Sequence, residues 1–221
     1  MRLSVIITAG GIGTRMGSDL PKQFLHLSGR PVLMHTIEAF HQYDPEAELV
    51  LTLPEDWKSF WLELVDEHGF RIAHQLVDGG KERFHSIKNA LTHCHGDIIA
   101  VHDGVRPLVD QETIKEVVEG AKQFGQAVPV VPVKDTLRTL VNGSSKTVNR
   151  ADYVLVQTPQ CFQKEVIKEA YTQDFTPAFT DDASVVEYLG KKVHLVAGNE
   201  ANLKITAPID LQIAEAICNN R

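Results

Sequence analysis

Cysteine is scarce in this chain: Cys94, Cys161 and Cys218 are the only three in 221 residues, and no two form a C-x-x-C pair. Neither a disulfide framework nor a cysteine-based zinc site is therefore suggested, and a reducing, cytoplasmic setting is expected. Long apolar runs are also missing. The N-terminal run, Leu3 to Ile7, is broken by Thr8 and then by glycines, which makes it too short for a signal-peptide core or a membrane span. Basic charge is in deficit, with 22 Lys and Arg against 29 Asp and Glu and a formal charge of −7. That balance argues against a general nucleic-acid or anionic-membrane surface, and it makes local basic clusters informative. No H-E-x-x-H and no G-x-S-x-G occurs, so zinc-hydrolase and serine-hydrolase readings lack support. His93-Cys94-His95 is a poor metal site, because an i, i+2 pair diverges on a helix.

What remains is an ordinary globular composition, 43% hydrophobic and 23% charged, long enough for one domain over residues 1–221. Short apolar or β-branched runs at Leu3–Thr8, Leu49–Leu53, Ile98–His102, Ala127–Val131 and Val193–Val196 read as buried parallel strands. Amphipathic stretches lie between them at Pro31–Phe40, Trp57–His68, Arg83–Leu91 and Asp110–Phe124, and Pro208–Ile217 reads as a closing helix. The alternation predicts an α/β fold, a mostly parallel twisted sheet flanked by helices. From Pro132 to Gln160 the rhythm changes. Asn142-Gly143 predicts the turn of a hairpin, so residues 132–160 are expected to form a β-arm that packs on a partner chain.

The first strand runs into Thr8-Ala9-Gly10-Gly11-Ile12-Gly13-Thr14-Arg15, followed by Pro21-Lys22-Gln23. Glycines there let backbone N–H groups approach an anion. A dinucleotide fingerprint built on Gly11 and Gly13 needs glycine where Met16 stands, and a Walker loop starting at Gly10 needs it at Arg15. Arg15 and Lys22 instead offer the fixed cations that a triphosphate requires. The bland alternative is a glycine-rich turn with two solvated basic residues. Asp78-Gly79-Gly80-Lys81-Glu82-Arg83-Phe84-His85-Ser86 is a second strand-to-helix loop with cations and a hydroxyl. Asp103 and Arg106 follow an apolar strand and should emerge beside the first loop. Asp103 there suits Mg²⁺ held between phosphate oxygens, or else a plain ion pair with Arg106. Thr180-Asp181-Asp182-Ala183-Ser184 reads as a helix start with Thr180 as the cap.

Taken in order, these segments resemble the 2-C-methyl-D-erythritol 4-phosphate cytidylyltransferase family. The resemblance runs from Ile7 to Ala214 through Ala9-Gly10, Arg15-Met16, Pro21-Lys22-Gln23, Gly79-Gly80 with Arg83 and Ser86, and His102-Asp103 with Arg106-Pro107. It continues through Lys134-Asp135-Thr136, Thr147 with Arg150, Gln157-Thr158-Pro159-Gln160, Thr180 to Ser184, and Asn202 with Lys204-Ile205-Thr206. It implies a Rossmann-like nucleotidyltransferase fold, with a protruding β-arm that completes the active site of the other subunit in a homodimer. It further implies transfer of a cytidylyl group from CTP to methylerythritol phosphate, with Mg²⁺ as the divalent cation. By motif, Arg15 and Lys22 are implied at the α-phosphate, and Lys204 among the catalytic and acceptor-binding cations. Ala9, Gly10, Gly11, Gly13, Gly80, Lys81 and Ser86 are implied as nucleotide contacts, with Asp103 near metal and acceptor. Arg106, Thr136 and Arg150 are implied as acceptor contacts, the last two reaching across the dimer. The first loop carries Thr8 and one extra residue relative to many members. In that respect it also resembles the ribitol-5-phosphate cytidylyltransferases, an alternative that stays open at this level beside a non-catalytic nucleotide-binding protein.

Overall fold

The computed structural model describes residues 1–11 and 20–220 of the chain. Its centre is β1 (Leu3–Thr8). Leu3, Val5 and Ile7 point into one apolar cluster and Ile6 into another, because successive strand residues face opposite sides of a sheet. A short antiparallel pair, β2 (His26–Leu27) and β3 (Arg30–Pro31), leads into α1 (Val32–Tyr43). Next come β4 (Glu48–Leu53), α2 (Lys58–Glu67), β5 (Gln75–Asp78), α3 (Arg83–Leu91) and β6 (Ile98–Asp103). Strands β5, β4, β1 and β6 lie side by side and parallel. Helices α1 and α2 cover one face through Leu33, Ile37, Phe40, Trp61 and Leu64. After β5 the chain returns across the sheet, and α3 covers the opposite face with Phe84, Ile87 and Leu91. Right-handed crossovers give this reversal when strand order changes direction.

The second half departs from simple alternation. Helix α4 (Gln111–Phe124) is capped by Asp110, whose carboxylate accepts from the Thr113 N–H at 2.8 Å, and it leads to β7 (Gln126–Pro132). Between β6 and β7 sits β11 (Gln160–Gln163), antiparallel to both. Four residues with two glutamines give no strand periodicity, so the sequence offers little sign of it. Helices α5 (Lys164–Ala170) and α6 (Asp182–Glu187) join α3 on its face, β12 (His194–Ala197) pairs parallel with β7, and α7 (Pro208–Cys218) closes the chain. The sheet is thus mixed, with parallel pairings in the majority. The cap of α6 differs from the sequence expectation. Asp181, not Thr180, accepts from the Ser184 N–H, and the Ser184 hydroxyl reciprocates, because a carboxylate one residue later closes the capping box.

β8 (Arg138–Val141) and β9 (Ser144–Thr147) form the expected hairpin around Asn142-Gly143. Both turn residues have positive φ, 47° and 78°, as a two-residue hairpin turn of this hand requires. Among the described residues, the hairpin strands pair with each other alone, whereas β10 (Val154–Val156) from the same stretch pairs with β7. Among the described residues, no helix is long and apolar enough to cross a membrane.

Phe162, fully buried between β6 and β7, makes β11 structural. Phe162→Ala should destabilise the fold by about 3–5 kcal/mol in urea unfolding. A loss below about 1 kcal/mol would mean that β11 does not tie the two halves of the sheet together.

Candidate functional site

Thr8 and Asp103 are register partners at the ends of β1 and β6. Strand order turns at this point, since β4 and β5 lie to one side of β1 and β6 to the other. Open α/β sheets bind ligands in such a crevice, outside the carboxyl ends of their strands. A cleft of about 570 Å³ opens there, lined by Ala9, Gly10, Gly11, Lys22, Gly80, Lys81, Arg83, Ser86, Asp103 and Lys204 among others.

Backbone contacts shape its floor. The Ala9 N–H donates to the Thr52 carbonyl at 3.0 Å, and the Ala9 carbonyl accepts from the buried Gln23 amide at 2.7 Å. The start of the glycine loop is thereby fixed to β4 on one side and to the Lys22–Phe24 turn on the other. On the facing wall, the Gly80 N–H donates to the Ser86 hydroxyl at 2.9 Å, and that hydroxyl reaches the Glu82 carbonyl at 3.3 Å. A Cβ at Gly80 would lie 2.3 Å from that of His85, so this turn admits no side chain. Ser86, expected as a nucleotide contact, lines the cleft but also builds the loop that carries Gly80 and Lys81.

Charge dominates the far end. The Asp103 carboxylate stands 3.0 Å from the Lys204 ammonium, 3.4 Å from Arg106 Nε and 3.6 Å from Arg83 Nε. These cations hold its pKa well below the usual carboxylate range against the opposing effect of burial. Arg83 also donates to Asp182 at 2.7 Å, and Asp182 is fully buried with its other oxygen accepting from Tyr171 at 2.6 Å. Burial works against the charged guanidinium, but the two carboxylates overcome it and raise its pKa. Arg106, expected at the acceptor, is mostly enclosed and donates to the Asn202 carbonyl at 2.7 Å.

Residues 157–160 hold these pieces in register. Thr158 Oγ accepts from the Asp103 N–H at 3.1 Å and lies 3.1 Å from His102 Nδ1. His102 Nε2 lies 3.1 Å from the Arg106 carbonyl, which can only accept. Nε2 therefore carries a proton, and because burial lowers the pKa of the ring to about 4 the imidazole is neutral at pH 7, with Nδ1 left to accept from Thr158. Gln157 donates to the Asn199 carbonyl at 2.8 Å, and Gln160 grips the start of α6 through Asp181 and Ala183, each at 2.8 Å. The sequence offers this segment as part of the family resemblance and shows no role for it. The signal was present in polar side chains flanking an apolar strand, but their partners lie tens of residues away.

Of the expected site residues, the structure brings Ala9, Gly10, Gly11, Lys22, Gly80, Lys81, Ser86, Asp103 and Lys204 to one cleft, with Arg106 behind Asp103. Gly13 and Arg15 lie outside the described residues. Thr136 and Arg150 are exposed beside the hairpin and do not line this cleft; Arg150 donates to the Lys134 carbonyl. For Mg²⁺, the described residues hold no group of three candidate ligands, and Asp103 already faces three cations. The donor set suits an ion held mainly by phosphate oxygens, with Asp103 as a supplementary ligand, and not a protein-held resident ion.

The family model for 2-C-methyl-D-erythritol 4-phosphate cytidylyltransferase matches residues 3–220. A relative of that name from Bacteroides thetaiotaomicron is 54% identical over 219 residues, covering 98% of this chain and 100% of the relative. Another from Bacteroides fragilis is 52% identical, covering 97% and 98%. The crystal structure of 2-C-methyl-D-erythritol 4-phosphate cytidylyltransferase from Thermus thermophilus is similar with a TM-score of 0.81 and 33% identity, covering 99% of this chain and 100% of that one. A bifunctional IspDF from Campylobacter jejuni has a TM-score of 0.82 and 27% identity over 96% of this chain and 54% of its own.

Burial pushes the His102 imidazole from 6.5 down to about 4. Between those values the unfolded chain binds the proton and the folded chain does not, so stability rises with pH across that window and is lost on acidification. Urea unfolding should show a loss on the order of 3 kcal/mol from pH 7 to pH 4 attributable to this group, with a shallower slope in His102→Asn. Equal slopes would show that His102 is not held neutral.

Proposed function

This chain belongs to the 2-C-methyl-D-erythritol 4-phosphate cytidylyltransferase family, and from that premise we propose that the cleft at the ends of β1 and β6 is where the two substrates meet. The reaction is transfer of a cytidylyl group from CTP to 2-C-methyl-D-erythritol 4-phosphate, giving 4-diphosphocytidyl-2-C-methyl-D-erythritol and pyrophosphate. Relatives at 50% identity and above carry the methylerythritol name, which disfavours ribitol phosphate and a non-catalytic role.

An oxygen of the acceptor phosphate attacks the α-phosphorus of CTP. The new P–O bond forms as the bond to the bridging oxygen breaks, and the electron pair leaves with pyrophosphate. A phosphate monoester with a second pKa of about 6 arrives ionised at neutral pH, so the protein need not remove a proton. Its task is to hold two polyanions in line and to stabilise charge as it builds. Gly10, Gly11 and Gly13 offer backbone donors to the triphosphate, Ala9, Gly80 and Ser86 frame the nucleoside, and Lys81 adds charge at the rim. Arg15 and Lys22 stabilise the α-phosphate. Lys204 and Arg106, gathered by Asp103, receive the acceptor phosphate. A divalent cation such as Mg²⁺ would find Asp103 as a supplementary carboxylate ligand here, and would supply neutralisation of phosphate charge. The observation that carries this reading is the meeting of Lys22, Lys81 and Lys204 at one cleft in a chain of net charge −7.

Thr136 and Arg150 serve the cleft of a second subunit. In support, Leu140 and Val141 of the hairpin and Tyr153, Val154, Leu155 and Val156 at β10 are large apolar side chains left exposed, as surfaces that dock a partner often are. The working unit is a homodimer formed by one domain per chain, in the cytoplasm.

Pyrophosphate release with CTP and a panel of polyol phosphates tests the function. Lys22→Ala should lower kcat by about a hundredfold or more with an unchanged far-ultraviolet spectrum, and near-normal turnover would remove Lys22 from the α-phosphate. Arg150→Ala should raise KM for the acceptor. Mixing Arg150→Ala with Lys22→Ala chains should restore activity, because one heterodimer site then carries neither defect; no recovery after verified subunit exchange would refute the shared site.

A further inference from the structure

Arg83 sits between two carboxylates at unequal distance. It makes a full hydrogen bond to Asp182 at 2.7 Å, but only a charge contact to Asp103 at 3.6 Å. Asp182 cannot move to suit it. The carboxylate is fully buried, the Tyr171 hydroxyl binds its other oxygen at 2.6 Å, and Gln160 fixes the backbone of the next residue at 2.8 Å. The Tyr171 ring is itself stacked on Phe84, the neighbour of Arg83, with centroids 4.7 Å apart. The consequence falls on Asp103, whose Oδ2 stays 3.0 Å from the Lys204 ammonium, a side chain 42% exposed at the cleft.

We propose that Asp182 is a positioning residue for Lys204: by holding Arg83 it keeps that guanidinium from pairing fully with Asp103, which leaves the Asp103 carboxylate to aim the Lys204 ammonium into the cleft. A pair that served stability alone would have no need to reach the site, and buried ion pairs are weak contributors to stability in any case. Arg83 faces only Oδ1 of Asp103, whereas Lys204 shares Oδ2 with Arg106 Nε; without the Asp182 charge, Arg83 can pair with both Asp103 oxygens at once, and Lys204 loses its hold on Oδ2. The inference rests on the assignment of Lys204 to the acceptor phosphate.

Steady-state kinetics on the full chain test it with Asp182→Asn, Lys204→Ala and the double variant. Asp182→Asn should raise KM for methylerythritol phosphate by about tenfold or more, the scale of a lost charge-assisted hydrogen bond, while CTP affinity measured by calorimetry without acceptor stays close to that of the unsubstituted protein. The double variant should be no worse than Lys204→Ala alone, since both changes act through one ammonium. Should Asp182→Asn fail to fold, Tyr171→Phe keeps both charges and should raise the same KM by a smaller factor, again without effect in the Lys204→Ala background. Unchanged KM, or fully additive effects in the double variant, would overturn the proposal. If Lys204→Ala itself leaves the acceptor KM unchanged, the assignment of Lys204 fails instead.

Discussion

Arg83, Arg106 and Lys204 can be crowded at the end of one strand because the Asp103 carboxylate stands among them, with Asp182 behind Arg83. Like charges in an enclosed space repel strongly, and each must also give up part of its hydration. One carboxylate offsets this by standing within 3.0–3.6 Å of all three cations. What faces the cleft is then net positive, in a protein whose surface is net negative. For a reaction between two polyanions this matters more than an acid or a base, because bringing them together is the principal barrier that the side chains can lower.

The remaining architecture keeps that carboxylate where it is. Asp103 ends the buried strand β6, with its backbone N–H held by Thr158 and, through Thr158, by a neutral His102. The same short segment, residues 157–160, reaches the Asn199–Asn202 turn through Gln157 and the start of α6 through Gln160. Three segments that are remote in sequence are thus fixed by three neighbouring polar side chains, each buried and hydrogen-bonded, as such groups must be to be tolerated in a core. None of the three needs to touch substrate to affect the chemistry. Insertion of β11 between β6 and β7 places this segment at the centre of the sheet's upper edge.

Much of the sheet was legible in the sequence, because strands buried on both faces need continuous apolar runs, and the runs at Leu3–Thr8, Leu49–Leu53 and Ile98–His102 fall within one residue of β1, β4 and β6. Helices α1 to α4 and α7 were legible from spacing, whereas α5 was not among them, and the hairpin was legible from Asn142-Gly143, since few other dipeptides accept two positive φ angles. Lys22, Lys81 and Asp103 could be placed near one another because βα loops emerge on one edge of a parallel sheet. By contrast, β11 is too short and too polar to declare itself, and the α6 cap was misassigned by one residue because Thr180 and Asp181 are both competent caps.

Local chemistry, then, was determined by the chain alone: which residues bend, which hide and which carry charge all follow from side-chain size, branching and ionisation. Pairing was not. Nothing in the order of residues says that Asp182 will meet Arg83 across 99 positions, or that Asn202 will receive Arg106 across 96. Those partnerships depend on where the crossovers deliver each loop. A hydrogen bond is specified by distance and direction, and only the packed sheet fixes either to within the few tenths of an ångström on which its strength depends.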